Sequence, residues 1–183
     1  MSSNSPADEV DRIVDGWARA RPDLDTSPLA VLSRISRLAR HLETARRAAF
    51  TASGLEGWEF DVLSALRRDG EQSASPSALM HQTLVTSGTM TTRIDKLVAR
   101  GLVHRSRDPQ DRRSVLITLE PAGVELVDAA MERLLAAERE LLAALPPAQR
   151  DALAAVLRDL LLPFEPGASR EAPALRPTTQ ESA

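Results

Sequence analysis

The spacing of apolar residues changes between positions 87 and 119, and this change limits the possible folds more than any other feature. Across 87–100 the apolar side chains recur at i, i+4, i+7 and i+8, which is typical of a helix with one buried stripe. At 102–107 and 114–119 the pattern changes to the short alternating runs that are typical of strands. The segment 108–111, Asp-Pro-Gln-Asp, is a favourable turn between them. The sequence therefore predicts a helix followed by a β-hairpin.

Most of the remaining chain predicts helices. Ser75-Pro76 opens a short helix that runs to about Gln82 and precedes the helix of 87–100, with 70–73 as a loop before it. Helical spacing also predicts helices at 8–21, at about 28–53 and at 58–68. Two more are predicted at the C-terminal end, one from 121 to about 145 and a last one that follows Pro146-Pro147 and ends at about 162. We therefore expect a mostly α fold with a small β-hairpin, in the order helix, turn, helix, wing.

The C-terminal helices predict a second copy of the chain. The last helix places five apolar residues where we expect them to be buried: Leu153, Val156, Leu157, Leu160 and Leu161. The helices of 121–145 and 153–162 carry more apolar surface than one winged lobe could cover. We therefore expect a homodimer in which partner helices cover each other.

Composition excludes several classes of protein. The 183 residues include no cysteine and only three histidines, His41, His81 and His104, without the spacing of a helical metal site, so we expect no metal and no cofactor. No apolar run reaches the roughly 20 residues that cross a membrane, and the polar N-terminus is unlike a signal peptide, so we expect a cytoplasmic protein. Neither a Gly-x-Ser-x-Gly motif nor a phosphate-binding glycine loop occurs, which argues against an enzyme.

Positive charge is concentrated in one segment. The whole chain has a formal net charge of −3, whereas Arg93 to Arg113 contains seven Lys or Arg against three acids. A cationic segment on an acidic protein is typical of a local anion-binding surface, although a solvated charged hairpin would have the same composition.

The helix pair and hairpin together predict contacts with double-stranded DNA. The second helix of such a pair enters the major groove, and an arginine-tipped hairpin can enter the minor groove. The expected major-groove residues are Ser87, Thr91, Thr92 and Lys96. The expected wing residues are Arg107, Arg112 and Arg113, with Asp111 as a turn residue that could also hold a neighbouring arginine. The alternative is a helical dimer that binds another protein and does not bind DNA.

Four segments carry a family resemblance: residues 87–97, 100–103, 108–113 and 121–123. The most specific is 108–113, in which an Asp-Pro turn is followed by Asp-Arg-Arg. Together they resemble the multiple antibiotic resistance regulator (MarR) family over about Ser27 to Leu162. The resemblance implies an intertwined helical homodimer whose two winged lobes straddle a palindromic DNA site, usually as a repressor.

The resemblance also implies a ligand. Members of the family often release DNA when a small anionic or phenolic molecule binds, and this chain resembles a branch with an added N-terminal helix that responds to urate. The positions that match the ligand residues of that branch are Trp17, Asp61, Arg93 and Arg105. An arginine fork suits a flat, oxygen-rich anion. The alternatives are a core position for Trp17, a structural ion pair for Asp61, a phosphate contact for Arg93, and a phenolic or other organic acid as the effector.

These inferences divide the chain into four parts. We expect an N-terminal extension helix at 1–25, a winged helix-turn-helix lobe at 56–119, a helical dimerisation region formed by 26–55 and 120–163, and a disordered tail at 164–183.

Overall fold

A computed structural model describes residues 6–108 and 114–165 of the chain. Its elements, in chain order, are α1 (Glu9–Ala20), α2 (Ser27–Ala52), α3 (Gly57–Arg68), β1 (Ser73–Ala74), α4 (Pro76–Thr83), α5 (Ser87–Ala99), β2 (Val103–Arg107), β3 (Val115–Leu119), α6 (Pro121–Leu141) and α7 (Pro147–Leu161), followed by a 3-10 turn at Leu162–Phe164. The chain forms two compact units that divide between Glu140 and Leu141. The prediction of a mostly helical fold with a small sheet is confirmed.

The N-terminal helix is held by its cap. The Asp8 carboxylate accepts the backbone N–H of Val10 at 2.8 Å and of Asp11 at 3.0 Å, and Asp11 caps the Asp8 N–H in return. Arg34 of α2 donates to both carboxylates, at 2.8 Å to Asp8 and 2.7 Å to Asp11. Because Val10 is also buried, the start of α1 is fixed against α2 by packing and by charge.

A third strand extends the predicted hairpin. The strand order is β1-β3-β2, and both pairs are antiparallel. Ser73 pairs with Thr118 and Ala74 with Ile117, so the expectation of a loop across 70–73 is wrong at its last residue. Two residues carry too little periodicity to be recognised as a strand. Ser73 and Ala74 nevertheless form a strand because the edge of β3 offers unpaired backbone groups.

The core of the first unit lies between α3, α4, α5 and the sheet. The largest side chains that are almost completely buried there include Leu63, Leu66, Leu79, Ile94 and Ile117. Met90 and Leu97 of the predicted α5 stripe are buried with them, but Val98 is 39% exposed. The buried face of α5 is therefore narrower than the spacing of its apolar residues predicts.

Helix α6 is shorter than its sequence pattern predicts. α6 ends at Leu141, four residues before the expected end. In the single chain, four of the five apolar residues of α7 that we expected to be buried are exposed, with Val156 57% and Leu161 56% exposed, and Leu157 is half-buried. Their burial against a partner chain stays a prediction. Along α2, Leu32 and Leu38 are similarly exposed. None of the helices in the described ranges is long and apolar enough to cross a membrane.

Candidate nucleic-acid interface and ligand pocket

Helix α5 presents a small, polar surface to solvent. Its buried face holds it on the core, which leaves four predicted contact residues exposed: Ser87, Thr91, Thr92 and Lys96. The Thr91 hydroxyl donates to the Ser87 carbonyl and the Thr92 hydroxyl to the Gly88 carbonyl, each at 3.1 Å. Both hydroxyl oxygens can still accept hydrogen bonds, and the small side chains allow close approach to a groove.

Of the three arginines predicted for the wing, one lies within the described residues. Arg107 is exposed at the end of β2, where it pairs in register with Val115. Arg112 and Arg113, together with Asp111 in the turn, lie outside the described residues. Their contacts with DNA therefore stay predictions.

The position of α5 is fixed at its C-terminal end by a buried carboxylate. Both oxygens of Glu59 on α3 accept from Nη1 of Arg100 at 2.6 Å, and Nη2 of Arg100 donates to the Gly54 carbonyl at 3.0 Å. Glu59 also accepts the backbone N–H of Glu56 at 2.9 Å. This one carboxylate therefore joins the start of α3 to the end of α5.

A pocket of about 540 Å³ is lined by residues of α2, α3 and α5. It brings together two of the four predicted ligand residues, Asp61 and Arg93. Arg46 and Arg47 of α2 and Trp58 of α3 also line it. Glu43 and Glu56 line it as well, so its three arginines are balanced by three acidic residues. The guanidinium groups and the aromatic side chain are the parts of this cavity that suit a small planar anion.

Asp61 is the carboxylate most affected by the pocket. Although much of the residue is exposed, loss of hydration at its carboxyl group raises the pKa of Asp61 above its ordinary value. Attraction to Arg46 and Arg93 lowers the pKa by a smaller amount. Asp61 therefore interacts with two pocket arginines at longer range than a direct ion pair.

Arg93 has unused hydrogen-bond donors. Its guanidinium carbon lies 5.6 Å from the centre of the Trp58 ring, in a cation–π contact. Within the described ranges, no carboxylate lies within the 4.0 Å of an ion pair with Arg93. A guanidinium held over a ring, with its N–H groups unpaired, can receive an anion in the pocket.

The other two predicted ligand residues lie elsewhere in the single chain. Trp17 is half-exposed and lines a separate groove with Leu24, Pro28 and Leu29. Arg105 on β2 pairs with Asp95 of α5 at 2.6 Å. The described chain therefore does not bring Trp17 or Arg105 to Asp61, and their ligand roles stay predictions.

Nine of the eleven lining residues of the pocket were not predicted from the sequence, among them Arg46, Arg47 and Trp58. A signal for Trp58 was present, because it precedes Asp61 by three positions and so lies on the same face of α3. For Arg46 and Arg47 no local signal exists, since only the packing of α2 beside α3 brings them to Asp61. Across the described ranges, no cluster of three or more acidic or histidine side chains could hold a metal ion.

A helix pair with an exposed polar second helix, followed by a hairpin with a cationic strand end, defines a winged helix-turn-helix DNA-binding protein. A model of the MarR family matches residues 53–114. The chain is 35% identical over 150 residues to the HTH-type transcriptional regulator PecS of Dickeya dadantii. These residues are 81% of this chain and 90% of that relative. The chain therefore belongs to the MarR family of transcriptional regulators and is not an enzyme.

Other relatives and solved structures agree with this assignment. The HTH-type transcriptional repressor NicR of Pseudomonas putida is 34% identical over 110 residues, which are 58% of this chain and 68% of NicR. The structure of Bordetella bronchiseptica BpsR, whose DNA binding is regulated by 6-hydroxynicotinic acid, is 32% identical with a TM-score of 0.55, over 69% of this chain and 91% of that one. A DNA complex of Streptomyces coelicolor Sco3205 has the same fold, with a TM-score of 0.68 at 19% identity over 80% of this chain and 96% of that one.

Proposed function

We propose that this chain is a dimeric repressor that binds a palindromic operator and releases it when a small planar anion enters the pocket of Asp61 and Arg93. The observation that carries the proposal is the position of Arg93. It belongs to α5, the helix with the exposed polar surface, and its guanidinium also lines the pocket. A ligand that binds Arg93 therefore acts directly on the DNA-binding helix.

The proposed DNA contacts divide between α5 and the wing. Ser87, Thr91, Thr92 and Lys96 would contact the major groove, and Arg107 with Arg112 and Arg113 would contact the minor groove or its phosphates. The exposure of the α5 residues supports this assignment. Footprinting on the DNA upstream of the gene is expected to protect a palindrome, and the absence of protection at moderate salt would contradict the proposal.

A matched pair of variants tests the interface. Replacing Lys96 by Ala is expected to weaken DNA binding and to reduce the slope of log affinity against log salt by about one, because one cation is removed from the surface that faces the DNA. Arg67→Ala is the control, since Arg67 is an exposed cation whose partner is Asp128 on α6. Equal salt slopes for the two variants would remove Lys96 from the interface.

The proposed dimer rests on apolar surface that a single chain leaves exposed. Leu32, Ile35 and Leu38 form a stripe on α2, and α7 presents its own exposed stripe within the second unit. A second copy of the chain would cover such surfaces by symmetry. Sedimentation equilibrium is expected to give twice the monomer mass of 19.9 kDa at micromolar concentration, and a monomer would refute the dimer.

The effector class follows from the pocket and its relatives. Arg93 has donors for a carboxylate or a urate oxygen, and the pocket volume fits one ring system. The DNA binding of BpsR is regulated by 6-hydroxynicotinic acid. The helix α1 is where we expect this chain to resemble urate-responsive regulators. Urate and 6-hydroxynicotinate are therefore the two effectors to compare first, with phenolic acids after them.

Titration of both compounds into the DNA complex tests the effector. We expect one of them to release the DNA from the wild-type protein, and we expect Asp61→Ala and Arg93→Ala to need at least about tenfold more of it. Asp128→Ala is the matched control because Asp128 lies outside the pocket. Release by neither compound, or equal release from every variant, would refute the proposed pocket.

A further inference from the structure

Trp58 has a fixed orientation in the first turn of α3. Its indole N–H donates to the Glu56 carboxylate at 2.5 Å, and its side chain is half-buried. The only other tryptophan of the chain is Trp17, which lines a different groove. An indole that is held at its N–H edge presents its ring faces without a further ordering cost.

Trp58 lines three cavities, and two of them matter for a ligand of α5. It lines the pocket of Asp61 and Arg93, and it also lines a cavity of about 380 Å³ beside Gly88, Thr92 and Lys96. The Arg93 guanidinium carbon lies 5.6 Å from the ring centre and the Lys96 ammonium 5.7 Å from a ring centre of the same indole. Trp58 therefore contacts both the pocket and the exposed surface of α5.

Phe50, the other aromatic residue of the pocket, already stacks on another ring. Phe50 is 4% exposed and stacks on Phe60 with ring centres 4.3 Å apart. Among the described residues, Trp58 has no such ring partner. Of the two aromatic residues of this pocket, Trp58 is therefore the one without a ring partner, and the Arg93 guanidinium and the Lys96 ammonium lie over its ring.

We infer that Trp58 is the stacking residue for the planar anion, and that it makes the pocket select flat ligands. The inference rests on the proposed function of the pocket. Because the Arg93 guanidinium lies over the ring, a planar anion that stacks on Trp58 moves this guanidinium aside and pairs with it there. The same ligand changes the surroundings of Lys96, since that ammonium also lies over Trp58. Ligand binding and DNA contact then share one side chain.

Single-tryptophan variants test the inference by fluorescence. Trp17→Phe leaves Trp58 as the only indole, and Trp58→Phe leaves Trp17. Both variants are titrated with urate and with 6-hydroxynicotinate, and the emission is corrected for ligand absorbance with free tryptophan. Trp17→Phe is expected to keep the part of the wild-type emission change that Trp58 supplies. Trp58→Phe is expected to lose it. An emission change that follows Trp17 would overturn the inference.

Calorimetry separates a failed inference from a failed pocket. Trp58→Leu is expected to bind the effective compound at least about tenfold more weakly, and Trp58→Phe to bind nearly as the wild type does, because stacking needs a ring. Thermal melts establish that each variant is folded. Wild-type affinity and DNA release in Trp58→Leu would overturn the stacking role and leave the pocket intact. No binding of either compound to the wild type would overturn both.

Discussion

Gly123 is the position where a single methyl group should disturb the fold most clearly. It lies buried in the first turn of α6, where the helix passes the end of the segment before β2. A Cβ at this position would lie 2.2 Å from the carbonyl oxygen of Leu102 and 3.2 Å from Cδ2 of Leu119. The first distance is 0.8 Å shorter than the 3.0 Å limit that real Cβ atoms respect. Gly123→Ala therefore requires the backbone to move.

The size of the effect follows from what must move. The Leu102 carbonyl also accepts the backbone N–H of Glu120 at 3.0 Å, so a shift that relieves the overlap weakens this bond. Overpacking costs about 1–3 kcal/mol, and a lost hydrogen bond about 0.5–1.5 kcal/mol. The better helix propensity of alanine returns about 0.5–1 kcal/mol. We expect a net loss of about 2 kcal/mol in the free energy of unfolding.

Urea denaturation followed by circular dichroism measures this loss, at one protomer concentration for all variants because a dimer would make stability concentration-dependent. Gly16→Ala is the matched control. Gly16 is also helical, but a Cβ there meets nothing within 4 Å, so this variant should be more stable by about 0.5–1 kcal/mol. If Gly123→Ala is as stable as the wild type, the inference that α6 passes too close to Leu102 for a Cβ is wrong.

Three further substitutions have expected outcomes that thermal or urea denaturation can check. Leu84 is 88% exposed with a φ of 53°, so Leu84→Gly should stabilise by about 1 kcal/mol, and a loss would mean that its side chain has a partner. Glu59→Gln should destabilise by about 1–3 kcal/mol, because a buried carboxylate with a charged partner is lost, whereas Asp128→Asn should cost less. Asp61→Asn should stabilise at neutral pH. Because folding raises the pKa of Asp61, its ionised form costs stability above that pKa, and the difference from the wild type should disappear as the pH falls through it. A stability difference that grows towards acid pH would contradict the raised pKa of Asp61.

The segments with strong local signals were predictable from sequence alone. Asp8 caps α1, Ser75-Pro76 opens α4 and Pro121 opens α6, each where the sequence placed the start of a helix. These signals need no tertiary contact, because a cap or a proline acts on the backbone within one turn. The family and the helix-turn-helix with its hairpin were predictable for the same reason, since their motifs lie within the 49 consecutive residues of 75–123.

Contacts between distant segments were decided by the tertiary structure. β1 exists because β3 lies beside it, and Glu59 is an anchor because Arg100 reaches it across 41 positions of the chain. Of the four residues expected around a ligand, only Asp61 and Arg93 share a pocket, and the tryptophan beside them is Trp58 and not Trp17. Local sequence determines which face of a helix a residue occupies. Only the packing of helices decides what that face meets, because packing depends on the shape of every side chain between them.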